Sequence, residues 1–162
     1  MIIHVKNKNT LIIDDFKFRC CIGRNGISNN KKEGDFSTPK GFFKLKKLYY
    51  RKDRVGNPDI KIKKKIITKS LGWCDDPYHN KYNEEIQIFR KESKENFYRK
   101  DNTYDYLITI SHNDKKIPNE GSAIFIHLTD NYKPTAGCIA LKKKDFEILL
   151  SLIDQETKLK IG

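Results

Sequence analysis

No apolar run in the 162 residues approaches the roughly 20 that a membrane-spanning helix needs. The first ten residues, M-I-I-H-V-K-N-K-N-T, lack a cationic start followed by an uninterrupted apolar block, so no signal peptide is expected there. The four cysteines, Cys20, Cys21, Cys74 and Cys138, contain no C-x-x-C pair, which argues against a disulfide framework. None of the four histidines stands at a zinc-like spacing from them, so no metal site is expected. Internal repeats and low-complexity linkers are also missing. The chain therefore reads as one domain over 1–162, large enough to bury a core without staples.

Acidic residues are the minority: 21 Asp and Glu against 33 Lys and Arg leave a formal net charge of +12. Such an excess suits an anionic partner, whether nucleic acid, an acidic envelope polymer or a membrane surface. It also suits compositional drift, because lysine, isoleucine and asparagine are abundant together. The lysines are spread along the chain, with Lys61 to Lys65 the densest run. No recognisable nucleic-acid motif is present, and the aromatics do not sit in a basic repeat, which disfavours nucleic acid as partner.

The pattern of what is present is that of many short strands. Residues 2–5 and 10–13 flank a polar K-N-K-N turn and predict a β-hairpin. Residues 16–22 predict a third strand, in which Cys20 and Cys21 would face opposite ways. A Gly- and Asn-rich loop over 23–34 leads to S-T-P-K-G-F-F-K-L, where Pro39 and Gly41 set a turn into a strand. Residues 71–83 read as a loop whose Trp73, Tyr78 and Tyr82 either line a cleft or pin the loop to the core. Residues 84–103 are charged, with Phe89, Phe97 and Tyr98 as anchors. Tyr104 to Ser111 is the clearest central strand, ending at His112-Asn113-Asp114, a polar triplet that faces a site or opens a turn. Apolar residues at 146, 149, 150 and 153 predict one late helix. The fold class is mainly β.

One stretch carries chemistry. In I-F-I-H-L-T-D-N-Y-K-P-T-A-G-C-I-A-L, from Ile124 to Leu141, a histidine ends one apolar run and a cysteine opens the next. Strand ends of this kind can bring a thiol and an imidazole together, so that His127 activates Cys138. Gly137 allows close backbone approach, and the amides around it could meet an oxyanion. A buried structural cysteine is the alternative.

The pairing of His127 with Thr135-Ala136-Gly137-Cys138 resembles the signature of YkuD-type L,D-transpeptidases. So does S-T-P-K-G-F-F, which is similar to the family's T-P-x-G-x-F turn. The resemblance runs from about Cys20 to Leu141 and implies a β-sandwich with one short helix near the C-terminus. It implies Cys138 as nucleophile, His127 as base and Gly137 beside them, with Thr135, His112 and Asn113 as substrate-binding candidates. The implied substrate is the peptidoglycan stem peptide, in the periplasm or cell envelope, with no metal or cofactor needed, and a monomer is assumed. Water as acceptor would make the protein an L,D-carboxypeptidase or another Cys–His amide hydrolase, and a basic non-enzymatic binding module is the alternative of another class. Two departures from the family pattern are Ala136, where many members carry histidine, and Ala140, where many carry Asn or Arg. The His-to-Cys gap is also short.

Overall fold

The computed structural model of the protein describes residues 1–89 and 95–162. The expected hairpin forms from β1 (Ile2–Lys6) and β2 (Thr10–Ile13), and β3 (Phe16–Arg19) continues the meander. After β4 (Ile27–Ser28) and β5 (Thr38–Pro39) comes the long strand β6 (Gly41–Tyr50), then a single helical turn, α1 (Lys52–Val55), and β7 (Lys64–Ile66). Three short strands follow, β8 (Leu71–Trp73), β9 (Glu85–Gln87) and β10 (Glu95–Asn96). The chain ends with β11 (Tyr106–Ile110), β12 (Phe125–Leu128), β13 (Ile139–Leu141), α2 (Lys143–Leu152) and β14 (Lys158–Ile161). The expected late helix is α2, which buries Phe146, Leu149 and Leu150. The turn α1 adds a second helix that the periodicity does not announce.

The main sheet runs in the order β13-β12-β11-β6-β14-β1-β2-β3, with β7 added alongside β6. Its two ends meet. Just beyond β3, Cys21 exchanges two backbone hydrogen bonds of 2.9 Å with Ala140 of β13. The edge of β13, an otherwise open row of N–H and C=O groups, is thereby covered. Strand β3 stops at Arg19, so the cysteines lie past it, and both are buried.

Alternation along the strands divides the interior into two clusters. Ile126 and Leu128 of β12, Ile108 and Ile110 of β11, and Ile139 and Leu141 of β13 join α2 in the larger one. On the opposite face, Leu107 and Phe125 pack with Tyr49, Leu71, Phe97 and Tyr104. This second cluster seats the small sheet β10-β8-β9 on the main one. Its aromatic rings meet edge to face, with Tyr49–Phe97 at 5.1 Å, Trp73–Phe125 at 5.4 Å and Phe97–Phe125 at 5.6 Å. A fully buried phenylalanine such as Phe97 contributes on the order of 1.5–3 kcal/mol.

Three aromatic expectations are corrected here. Trp73 lies on a strand instead of in a loop, because β8 is too short to show alternation. Phe97 is buried and Tyr98 packs against the same cluster, so both anchor their segment, but Phe89 is 87% exposed and does not. Trp73 and Tyr82 pin their segment, whereas Tyr78 is exposed and does neither job.

Candidate active site

Residues of β12 alternate between the two clusters, so Phe125 and His127 share the face away from the main core. In the register of the parallel pair β12–β13, Ile126 lies opposite Ile139 and His127 opposite Ala140. Cys138, immediately before β13, therefore falls on the same face as His127. Both line one cavity of about 200 Å³, together with Gly137, Thr135 and Ala136. Its other walls carry Lys31, Glu33, Asp75, Glu95 and Tyr104. None of these five is marked by a local sequence pattern; they arrive from four separate segments.

The turn before Cys138 is tightly built. Thr135 Oγ1 donates to the Cys138 carbonyl at 2.6 Å and accepts the Gly137 N–H at 3.1 Å. The hydroxyl proton is thus spent on shaping the turn, and Thr135 both forms the turn and lines the cavity. Gly137 has φ of +147°, and a Cβ there would meet the Ser37 carbonyl oxygen at 2.8 Å. The Gly137 carbonyl accepts a hydrogen bond from Thr38 Oγ1 at 2.8 Å, and Thr38 in turn accepts the Gly23 N–H at 2.9 Å. Thus T-P-K-G and A-G-C, 99 positions apart, are two halves of one buried joint. Asp35 holds the approach to Thr38 by accepting from Lys31 Nζ, Lys32 N, Ser37 N and Ser37 Oγ. Changing Thr38 to valine keeps the shape and strips the buried Gly23 N–H and Gly137 carbonyl of their partner. An expected loss of about 1–3 kcal/mol follows, read as a lower urea midpoint at unchanged slope.

His127 is 8% exposed, and its Nδ1 lies 2.9 Å from the Leu128 carbonyl, to which it donates. This fixes the tautomer and leaves Nε2 as the basic nitrogen. The edge of the ring meets Tyr104 at 5.4 Å, and Tyr104 donates its hydroxyl to Glu95. The Cys138 thiol donates to the Ala123 carbonyl at 3.2 Å and accepts the Phe125 N–H at 3.3 Å. Burial pushes this thiol up to about 12, against the opposing pull of the Phe125 N–H. Burial also lowers His127 to about 4, although the Leu128 carbonyl favours its cation. The resting pair is therefore a neutral thiol and a neutral imidazole, not a thiolate beside an imidazolium. Alkylation of Cys138 is expected to rise about tenfold per pH unit from pH 7 to 10. A plateau below pH 8 in the iodoacetamide rate would contradict this.

His112 and Asn113 are not brought to this cavity. His112 Nε2 lies 3.0 Å from the Glu120 carbonyl, and the ring meets Phe43 beside a separate hollow of about 230 Å³. Asn113, at φ of +49°, bonds Ile117 and Gly121 and so closes the turn after β11. The polar triplet opens a turn, the other of its two readings. Ala136 is exposed at the cavity rim, and Ala140 is buried level with His127. A larger hollow of about 610 Å³ lies elsewhere, lined by Lys44, Lys46, Lys47, Lys63 and Lys116. It contains neither cysteine nor histidine, and three of its lysines pair with Asp114, Glu85 and Glu84. Among the described residues no cluster of His, Cys, Asp and Glu is arranged to hold a metal ion.

The sequence matches the family YkuD, L,D-transpeptidase catalytic domain, over residues 2–161. The chain belongs to this family. Solved structures share its fold. One is the helical cell shape determining protein Pgp2 from Campylobacter jejuni, at 18% identity and a TM-score of 0.52. A point mutant of that protein gives 20% and 0.54. Another is Bd1075 from Bdellovibrio bacteriovorus, at 15% and 0.52. These matches cover 99% of this chain but only 46–47% of theirs, so the YkuD domain here spans less than half of each relative. No match emerges among curated protein sequences. The mainly β expectation and the family resemblance are both borne out.

Proposed function

We propose that this YkuD domain is a cysteine acyl-transferase acting on peptidoglycan stem peptides. The observation that carries the reading is the shared cavity of Cys138 and His127, in which Nδ1 is committed to the Leu128 carbonyl and Nε2 is left basic. The Cys138 sulfur attacks the carbonyl carbon of the third stem residue while His127 Nε2 takes the thiol proton. Forming the C–S bond and breaking the C–N bond to the terminal D-alanine leaves a thioester on Cys138. His127 returns the proton to the departing amine. An acceptor amine then attacks the thioester, His127 takes its proton, and the thiolate leaves and is reprotonated.

The Gly137 N–H is already given to Thr135, so the oxyanion is assigned to the Cys138 N–H. Because both groups rest neutral, proton transfer accompanies attack instead of preceding it. The substrate places the working protein in the cell envelope. No helix among the described residues is long and apolar enough to cross a membrane.

Incubation with a disaccharide tetrapeptide tests the reading. Cross-linked dimers, or D-amino acid exchange, are expected by mass spectrometry. Tripeptide alone would reassign the domain as an L,D-carboxypeptidase. Unchanged substrate, with salt-sensitive binding to an anionic polymer, would favour the basic module instead.

A further inference from the structure

We propose that Asn83 is a positioning residue for the Cys138 thiol: it fixes the Ala123 carbonyl that holds the thiol proton away from His127. The inference rests on the roles proposed above for Cys138 and His127.

The chain of contacts is short. The thiol donates to the Ala123 carbonyl at 3.2 Å. Ala123 has φ of +52°, in the left-handed region that an alanine rarely occupies. Such a conformation persists only where its surroundings hold it. The group that holds it is the Asn83 side chain, whose Oδ1 accepts the Ala123 N–H at 3.1 Å.

Asn83 is itself saturated. Oδ1 also accepts Trp73 Nε1–H at 2.9 Å, and Nδ2 donates to the carbonyls of His112 at 3.1 Å and Asn113 at 3.0 Å. Two N–H donors face one end of the amide and two carbonyls face the other, so only one orientation satisfies all four. Its backbone N–H bonds the Cys74 carbonyl at 2.8 Å, which ties it to the connection between β8 and β9. Asn83 thus joins that connection, the turn after β11 and the segment entering β12 at one point. That point is one residue removed from the sulfur. The backbone hydrogen bond from Phe125 completes the seat. With its proton on Ala123, the sulfur is a poor nucleophile; released, it can turn to the Nε2 of His127 in the same cavity.

The test uses the whole chain and iodoacetamide at pH 7, with modification of Cys138 followed by peptide mass so that the three other thiols are read separately. Asn83→Ala is expected to speed alkylation about tenfold, the effect of one unit of thiol pKa. Adding His127→Asn should abolish that gain, because His127 is the base the released thiol uses. Trp73→Phe loosens the β8–β9 connection but leaves the Ala123 contact, and should keep the parent rate. Asn83→Ser, too short to reach the Ala123 N–H, covers the case in which Asn83→Ala does not fold and should show the same His127-dependent acceleration. The proposal is overturned if the folded Asn83→Ala or Asn83→Ser protein reacts at the parent rate, if the gain survives His127→Asn, or if Trp73→Phe produces the same gain. No peptidoglycan is needed for this readout. A His127-dependent gain in a protein inert toward stem peptides would sink the acyl-transfer reading while sustaining this one.

Discussion

His127→Asn is expected to cut turnover of stem peptides by about 10²–10⁴-fold while making the protein more resistant to acid. The amide of asparagine can still donate to the Leu128 carbonyl, as Nδ1 does now at 2.9 Å, so the local backbone keeps its partner. What disappears is the basic nitrogen in the cavity that His127 shares with Cys138. The acid effect follows from linkage. Burial lowers the pKa of His127 to about 4, below its ordinary value near 6.5, so the folded state binds fewer protons than the unfolded chain in that window. Stability therefore falls as pH drops from about 6.5 to 4, by about 3 kcal/mol at most. The variant lacks this penalty, so its acid midpoint moves down while its activity collapses. Equal acid midpoints for parent and variant would remove the neutral, enclosed histidine from the account.

Gly137→Ala is expected to disrupt the fold and the candidate site together. At φ of +147° the backbone is in a region that L side chains rarely adopt. The new Cβ would also lie 2.8 Å from the Ser37 carbonyl oxygen and 3.0 Å from Ile124 Cδ1. The first of these is backbone, held by the Asp35 network and by Thr38, and cannot swing aside. Strain and overpacking together come to about 2–5 kcal/mol. The same shift opens the joint between Thr38 and Gly137 and moves Cys138 off its seat. Chemical denaturation and alkylation of Cys138 in the same preparation check both halves. A variant with parent stability would show that the approach of Ser37 to Gly137 is loose.

Much of this was legible in the sequence wherever a period was long enough to show. Phe146, Leu149, Leu150 and Ile153 announced α2, and Ile2 to Ile13 announced the hairpin, because each buries one face against the same core. The meeting of His127 and Cys138 at one cavity was legible because the first ends and the second opens an apolar run, and the two runs become adjacent parallel strands. Contacts between distant segments left no such trace. The Thr38–Gly137 joint spans 99 positions, and the closure of Cys21 on Ala140 spans more. His112-Asn113-Asp114 was ambiguous because a polar triplet at a strand end looks alike whether it faces a cavity or closes a turn. The resting charge state was hidden too. Sequence shows that a thiol can meet a base, but enclosure decides whether either one is ionised. Part of the charged stretch over 84–103 lies outside the described residues.

The proposed acyl transfer passes through a thioester between Cys138 and the stem peptide. Rapid acid quenching of the protein with a disaccharide tetrapeptide, followed by intact-mass and peptide analysis, tests it directly. The expected result is a mass increase equal to the substrate less D-alanine, located on Cys138 and lost in Cys138→Ala. An unmodified Cys138 in a protein that still converts the substrate would contradict it.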